Sequence, residues 1–335
     1  MTLVLGIETS CDETAAAVVD GHLHVLSSVV ESSIDVHRAF GGVVPELAGR
    51  AHVAIIGSVV RRALEEAGLD VESPSLDGVA VTSGPGLIGS LLVGLSTAKA
   101  LALAWDIPFV GVNHLEGHLF APLLESSDLE WPLMTLLVSG GHSLIVLQRG
   151  PGVHEVLGET IDDAAGEAYD KVARWLGLGY PGGPEIDALA KEGNAAAMKL
   201  PVSMIGDDFD FSFSGLKTAV VRATEKHREI GLADVAASFQ RALVEQLLRK
   251  LRQALERYEV KGVALAGGVA ANSALRRGVS ELATEFGLVA HLPTMAMCTD
   301  NAAMIAAAGL HRLQASGPSG LDLSARPNWQ LADVR

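Results

Sequence analysis

The segment Asn113-His-Leu-Glu-Gly-His118 places two histidines, His114 and His118, four residues apart. On a helix that spacing stacks both imidazoles on one face, one turn apart, where they can share a metal ion. A bare His-x3-His is also an ordinary surface pattern, so a third ligand is needed. Asp300, in Cys298-Thr-Asp-Asn-Ala-Ala-Met, is the candidate. Its alternative role is to cap the alanine-rich helix that follows. Two histidines and an aspartate with open coordination positions suit a catalytic iron or zinc. The peptidase pattern His-Glu-x-x-His is not met, because Glu116 comes two residues after His114, about 200° around a helix, and points away from the metal side.

Two glycine turns offer a different chemistry. Ser139-Gly140-Gly141 and Gly267-Gly268 each end an apolar run. Backbone without a Cβ can approach phosphate oxygens and present N–H donors to them. Asn272 could bond a base or ribose and Asp170 could accept from ribose hydroxyls, although each could equally be a cap or a solvated polar group. Gly84-Pro-Gly-Leu-Ile-Gly89 fits the letter of a dinucleotide fingerprint, but the next strand ends in Asn113 where that fingerprint needs an acid. Tight helix–strand packing is the simpler reading. Glu8-Thr-Ser-Cys-Asp-Glu13 gathers three carboxylates at one turn, either a solvated acidic turn or a device that positions metal, water or an attacking group.

These residues need a scaffold, and the chain reads as two copies of one. Residues 3–9 and 14–19 are short apolar runs around a polar turn, a β-hairpin, and residues 134–147 repeat the design with Gly140-Gly141 at the turn. Strands running into glycines and then a helix follow at 77–86 and 261–268, with second strands at 108–112 and 288–292. The pattern predicts two related α/β halves, 1–130 and 131–315, with a cleft between them, a small insert at about 178–230 in the second half, and a loosely ordered tail over 316–335. After Asp234, read as an N-cap, apolar residues recur every four positions from Val235 to Leu255, an amphipathic helix. A second helix, 47–67, ends at Gly68 and carries Ile55, Ile56, Val59, Val60 and Leu64, a stripe broad enough for part of it to meet a partner.

Composition sets the outer limits. The 335 residues are 49% hydrophobic and 19% charged, which excludes a disordered chain. Two cysteines, Cys11 and Cys298, are too few for a disulfide framework and point to a reducing compartment. No basic residue precedes Arg38, so a secretory signal is not expected. The uncharged run 78–98 has membrane-spanning length, but its glycines and Pro85 read as strand, turn and helix. A net charge of −15 argues against bulk attraction to nucleic acid or anionic membrane.

Together, Gly6-Ile-Glu-Thr-Ser-Cys-Asp-Glu-Thr14, Asn113-His-Leu-Glu-Gly-His118, Leu137-Val-Ser-Gly-Gly-His142, Phe211-Ser-Phe-Ser-Gly-Leu-Lys217, Ala266-Gly-Gly-Val-Ala-Ala-Asn272 and Cys298-Thr-Asp-Asn301 resemble the tRNA threonylcarbamoyladenosine synthase family, in its bacterial TsaD (Gcp/YgjD) branch. The motifs occur in the family's order over nearly the whole chain. The resemblance implies an actin/hexokinase/Hsp70-like ATPase (ASKHA) fold. It also implies a cytoplasmic acyltransferase that moves threonylcarbamoyl from threonylcarbamoyl-adenylate to N6 of the adenosine beside the anticodon. Carried over residue by residue, His114, His118 and Asp300 would hold one divalent metal, with iron (Fe2+) favoured and zinc the alternative. Leu137, Val138, Ser139, Gly140, Gly141, Asp170, Gly183 and Asn272 would hold the adenylate, a site that ATP or AMP could also occupy. Asp12 matches a residue needed for activity, as base or as orienter. The implied partners are tRNA, the paralogue TsaB, contacted through helix 47–67, and TsaE, with TsaC or TsaC2 making the adenylate; no membrane is implied. A metal-dependent peptidase and a non-enzymatic nucleotide-binding module are the readings from other classes.

The charge can accommodate a tRNA. Residues 1–150 hold 6 basic and 17 acidic side chains, net −11, whereas 217–261 hold 10 basic and 6 acidic, net +4. A tRNA is therefore expected to meet the second half near that stretch, weakly and in a salt-sensitive way.

Overall fold

The computed structural model describes residues 2–126, 128–202 and 208–334. Residues 203–207, within the expected insert, lie outside the described residues. The chain divides into two compact units, residues 1–129 with 299–335, and residues 130–298.

The first unit starts with the expected hairpin, β1 (Leu3–Glu8) and β2 (Glu13–Asp20), extended by β3 (Val25–Ser32). Next come α1 (Ile34–Arg38), α2 (Pro45–Glu66), β4 (Gly78–Gly84), α3 (Ile88–Trp105), β5 (Phe109–Asn113) and α4 (His114–Glu125). The sheet order is β3-β2-β1-β4-β5, antiparallel across the first three strands and parallel from β1 outward.

The second unit repeats that plan. It contains β6 (Leu133–Val138), β7 (Ser143–Gly150), β8 (Val153–Glu159), α5 (Ala165–Trp175), α6 (Gly182–Ala190), α7 (Ser214–Lys226), α8 (Leu232–Arg257), β9 (Gly262–Ala266), α9 (Ser273–Glu285), β10 (Val289–His291) and α10 (Met295–Cys298). Its sheet runs β8-β7-β6-β9-β10 with the same mixture of senses. The duplication read from the sequence is thus a duplication of sheet topology.

The last helix, α11 (Ala302–Ala315), returns to the first unit. Side chains alternate across a strand, so Leu5 and Ile7 of β1 join the core made with α2 and α3, while Gly6 between them faces α11. This corrects the expected boundary at 315. The second unit stops at Cys298, because the alanine-rich α11 packs on β1, β4 and α4. The 316–335 stretch is likewise not a loose tail. Trp329 and Leu331 are buried, Lys99 donates to the Leu323 carbonyl, and Arg326 N–H donates to the Ser83 carbonyl at 2.7 Å.

Two helix ends differ from expectation in detail. α8 begins at Leu232, so Asp234 lies in its first turn, where its carboxylate accepts from Asn194 N–H at 2.7 Å. α2 begins at Pro45, since proline suits the first helical position, and it closes on Gly68 at φ +72°. α3 is long and apolar enough to cross a membrane by length and composition. One side of it, with Leu91, Gly94, Leu95, Ala98 and Ala102, is buried in the first unit.

Candidate functional site

β5 runs straight into α4, and Asn113 sits at the junction. Its Oδ1 accepts from the N–H groups of Leu115 and Glu116 at 2.9 and 3.3 Å, capping the helix, and its amide donates to the Trp329 carbonyl. The cap fixes the first turn, which carries His114, and one turn on comes His118. The two rings are 4.8 Å apart and nearly perpendicular.

Asp300 lies just before α11 in the same unit as both histidines, not in the other half as the sequence suggested. Its Oδ1 is 3.1 Å from His118 Nε2 and 3.4 Å from His114 Nε2. The capping role considered for it belongs to Asn301, whose Oδ1 accepts from Met304 N–H at 3.0 Å. One donor atom from each of His114, His118 and Asp300 falls within a 4.8 Å span. Ligands about 2.1 Å from a tetrahedral ion lie about 3.4 Å apart, so two Nε2 atoms converging on one carboxylate oxygen fit a single divalent cation. Glu116 faces elsewhere, as expected, and its carboxylate is 2.6 Å from Arg312 Nε.

The carboxylates around the histidines are strongly coupled to them. Burial alone would lower His114, but Asp300 and Glu8 outweigh it and hold the imidazole well above its ordinary range. Burial would raise Asp300, and the two histidines pull it far below the usual carboxylate range. Glu8 is fully buried at the end of β1, and its Oε2 is 2.9 Å from His114 Nδ1. The sequence showed it only as one of three acids at a turn; nothing in the spacing tied it to His114.

Asp12 is buried beside this cluster, its carbonyl accepting from both the N–H and the Oγ of Ser33 at 2.9 Å. His52 of α2 is wholly buried beneath the same loop. Its Nε2 is 3.0 Å from the Cys11 carbonyl and its Nδ1 2.7 Å from Thr14 Oγ1. Glu13 is held well above the usual carboxylate range by burial first, then by the negative charges of Asp300 and Asp12. The Cys11 thiol is pushed well up for the same reasons. We expect iodoacetamide to label Cys11 of the native metal-free protein at pH 8 at least ~10-fold more slowly than a free thiol. Peptide mass spectrometry would show the ordinary rate returning on denaturation; rapid native labelling would contradict the electrostatic picture.

Of the glycines at 84–89, Gly84 and Gly86 pack closely against loop backbone, whereas a Cβ on Gly89 would meet nothing within 4 Å. A Cβ on Gly86 would lie 2.6 Å from the Ser10 carbonyl, and one on Gly84 2.0 Å from the Arg326 carbonyl.

In the second unit, β6 and β9 are parallel neighbours, so both glycine turns emerge at one end of one sheet. A Cβ on Gly267 would sit 2.5 Å from the Val138 carbonyl, whereas nothing lies within 4 Å of one on Gly140, Gly141 or Gly268. Leu137 and Val138 are buried in β6 and lead into this open backbone. Asp170 Oδ1 accepts from Gly182 N–H at 2.7 Å, which places it at the start of α6 beside Gly183. Asn272 caps α9 through Leu275 N–H, and its amide donates to Gln240 Oε1 at 2.8 Å, within a buried network that includes Asp187 of α6. Asp187 and Gln240 were not singled out in the sequence; a lone polar residue on a helix carries no such signal.

Two units that share the same five-stranded α/β topology define the ASKHA type of fold. The fold is similar to component A of the (R)-2-hydroxyglutaryl-CoA dehydratase of Acidaminococcus fermentans, with TM-score 0.55 at 15% identity over 93% of this chain and 97% of that one. It is also similar to HypF of T. kodakarensis, with TM-score 0.65 at 17% identity over 94% of this chain and 48% of that one. Within that class the chain belongs to the tRNA N6-adenosine threonylcarbamoyltransferase (TsaD) family, whose model matches residues 24–307. The proteins of that name from Anaeromyxobacter dehalogenans and Clostridium beijerinckii are 53% and 50% identical to it. Each alignment covers 99% of this chain, with 100% and 98% of the relative.

Proposed function

We propose that this chain transfers the threonylcarbamoyl group from threonylcarbamoyl-adenylate to N6 of adenosine 37 in tRNAs that read codons starting with A. The family match over almost the entire chain carries the reading. The convergence of His114, His118 and Asp300 supports it.

Those three residues would hold one divalent ion, Fe2+ in preference to Zn2+, and when bound it supplies Lewis-acid polarisation of substrate oxygens. The open N–H groups of Gly140 and Gly141 hold the leaving adenylate phosphate, with Leu137, Val138 and Ser139 forming the approach to them. Asp170, Gly183 and Asn272 complete the adenylate contacts. The adenine amine attacks the carbonyl carbon, the bond to the phosphate oxygen breaks, AMP leaves, and the amine gives up a proton. Asp12, as base or as orienter, attends that proton. A neutral aromatic amine is a weak nucleophile, so positioning outweighs basicity.

The substrate tRNA meets exposed cations of α7 and the turn after it, Arg222, Lys226 and Arg228. Other members of the basic stretch are committed: Lys250 is buried, Arg241 and Arg249 pair with Glu245, and Arg252 pairs with Glu285. The setting is the cytoplasm, with TsaC or TsaC2 supplying the adenylate and TsaE assisting. Labelled threonine should reach tRNA in a mixture reconstituted with those proteins and this chain. No label with this chain, under conditions where a family relative gives label, would overturn the reading.

TsaB would bind through α2, but not through the residues the sequence offered. Ile56 and Val60 are buried in the first unit's own core, whereas Val53 is 67% exposed, with Ala54 and Gly57 on the same side. We expect Val53→Glu to abolish co-elution with TsaB in gel filtration without changing the melting temperature, and Ile56→Glu to lower the melting temperature. Retained co-elution by Val53→Glu would move the contact elsewhere.

A further inference from the structure

We propose that Glu8 is a positioning residue for the metal centre: it grips His114 at Nδ1 so that Nε2 is presented to the bound ion. This rests on the metal reading of His114, His118 and Asp300.

A wholly buried carboxylate is costly unless every lone pair is engaged, and Glu8 is engaged from three directions. Its Oε2 faces His114 Nδ1 at 2.9 Å and accepts from Thr82 Oγ1 at 2.6 Å; its Oε1 accepts from Ser10 N–H. Thr82 is on β4, next to β1 in the sheet, so two adjacent strand ends hold the carboxylate at a fixed place beneath α4. An ionised carboxylate only accepts, so His114 Nδ1 must carry the proton. In the neutral ring that a metal requires, the lone pair is then on Nε2, the atom that faces Asp300 at 3.4 Å. The ring is thereby fixed in both tautomer and rotation, the function that a carboxylate behind a metal-bound histidine performs generally.

The two histidines differ in this respect. His118 Nδ1 is buried and has no hydrogen-bond partner among the described residues. Only His114 is braced from behind, so the orientation of the centre is set from β1 through His114.

Gln in place of Glu8 keeps the shape and reverses one edge. Either its NH2 group meets Ser10 N–H, donor against donor, or it turns toward His114 and demands the opposite tautomer. The test is titration of the metal-free protein with Co2+ alone, read by the visible absorption of the bound ion, with circular dichroism confirming the fold. Glu8→Gln should weaken Co2+ binding 10–100-fold and alter the band shape. Thr82→Val, which frees one side of the carboxylate, should weaken binding several-fold, and Thr82→Ser should restore it. Wild-type affinity in folded Glu8→Gln overturns the proposal; if that variant does not fold, wild-type affinity in Thr82→Val does so. Wild-type Co2+ binding by His114→Ala and His118→Ala would be a different failure, since it removes the metal reading and this proposal with it.

Discussion

His114→Ala is expected to lose bound metal and threonylcarbamoyl transfer together, with transfer falling at least ~100-fold. Lewis-acid stabilisation of a developing charge is worth several kcal/mol, and each 1.4 kcal/mol is a factor of about ten in rate. Metal analysis of the purified protein and the labelled-threonine assay read the two losses. Normal transfer by a metal-free variant would remove the metal from the reaction. The fold should survive at a cost. Glu8 would be left buried without its cation, a defect of about 3 kcal/mol against a total stability of about 5–15 kcal/mol. For metal-free protein the gap from wild type follows pH. Glu8 is lowered in the folded state, so its contribution is present above its ordinary 4.5 and fades as the pH falls through the lower folded value. His114 is raised, so its contribution is whole below its ordinary 6.5 and is lost only as the pH rises through the higher folded value. Denaturant melts should therefore show the full gap between about pH 4.5 and 6.5, narrowing on either side. His118→Ala separates the effects, because among the described residues His118 hydrogen-bonds Asp300 alone and its loss strands no second carboxylate.

The contrast between the two histidines marks what the sequence could and could not supply. His114 and His118 were legible because helical spacing alone puts them on one face. Asp300 was legible as a candidate ligand, but not as a neighbour in the same unit. That depends on α11 returning to β1, a long-range packing fact driven by small residues that leave no periodic signature. Glu8 was hidden for the converse reason: a strand end beside a helix start gives no sequence interval to recognise. The doubled plan could be read from its buried strands, β1, β4, β6 and β9, whose apolar runs end in polar or glycine turns. The third strands, β3 and β8, are sheet edges with alternating exposure and serines or glutamates among the valines, and were missed. α2 was found in place, but its apolar residues cover so much of its circumference that the spacing did not separate the buried Ile56, Val59, Val60 and Leu64 from the exposed side. The stretch after 315 looked loose because its anchors, Leu323, Trp329 and Leu331, are single residues among Gly, Ser, Pro and Asp, held by contacts to distant strands.

Gly6→Ala should be among the most damaging small substitutions in the chain, and it should reach the His114–His118–Asp300 cluster without touching any of the three. A Cβ at residue 6 would lie 2.1 Å from the Ala302 carbonyl oxygen, 2.8 Å from Ala306 N and 3.0 Å from Ala306 Cβ. All three belong to α11 and two are backbone, so no side-chain rotation relieves the overlap; the helix itself must move off β1. Overpacking of this kind costs about 3 kcal/mol or more. The displacement would also be felt at Asp300. α11 is fixed at its start by the Asn301 cap, and Asp300 is the residue just before it, so the carboxylate that meets His118 Nε2 at 3.1 Å is carried by the part that shifts. A lowered melting temperature and weakened Co2+ binding are both expected in the folded fraction. Gly49→Ala is the control: its Cβ comes no closer than 3.6 Å to Gly89, and inside α2 alanine is favoured over glycine by about 1 kcal/mol. It should melt no lower than wild type and bind Co2+ unchanged. Equal tolerance of both substitutions would mean that α11 is not seated on β1 through Gly6, and that something other than this contact sets the position of Asp300.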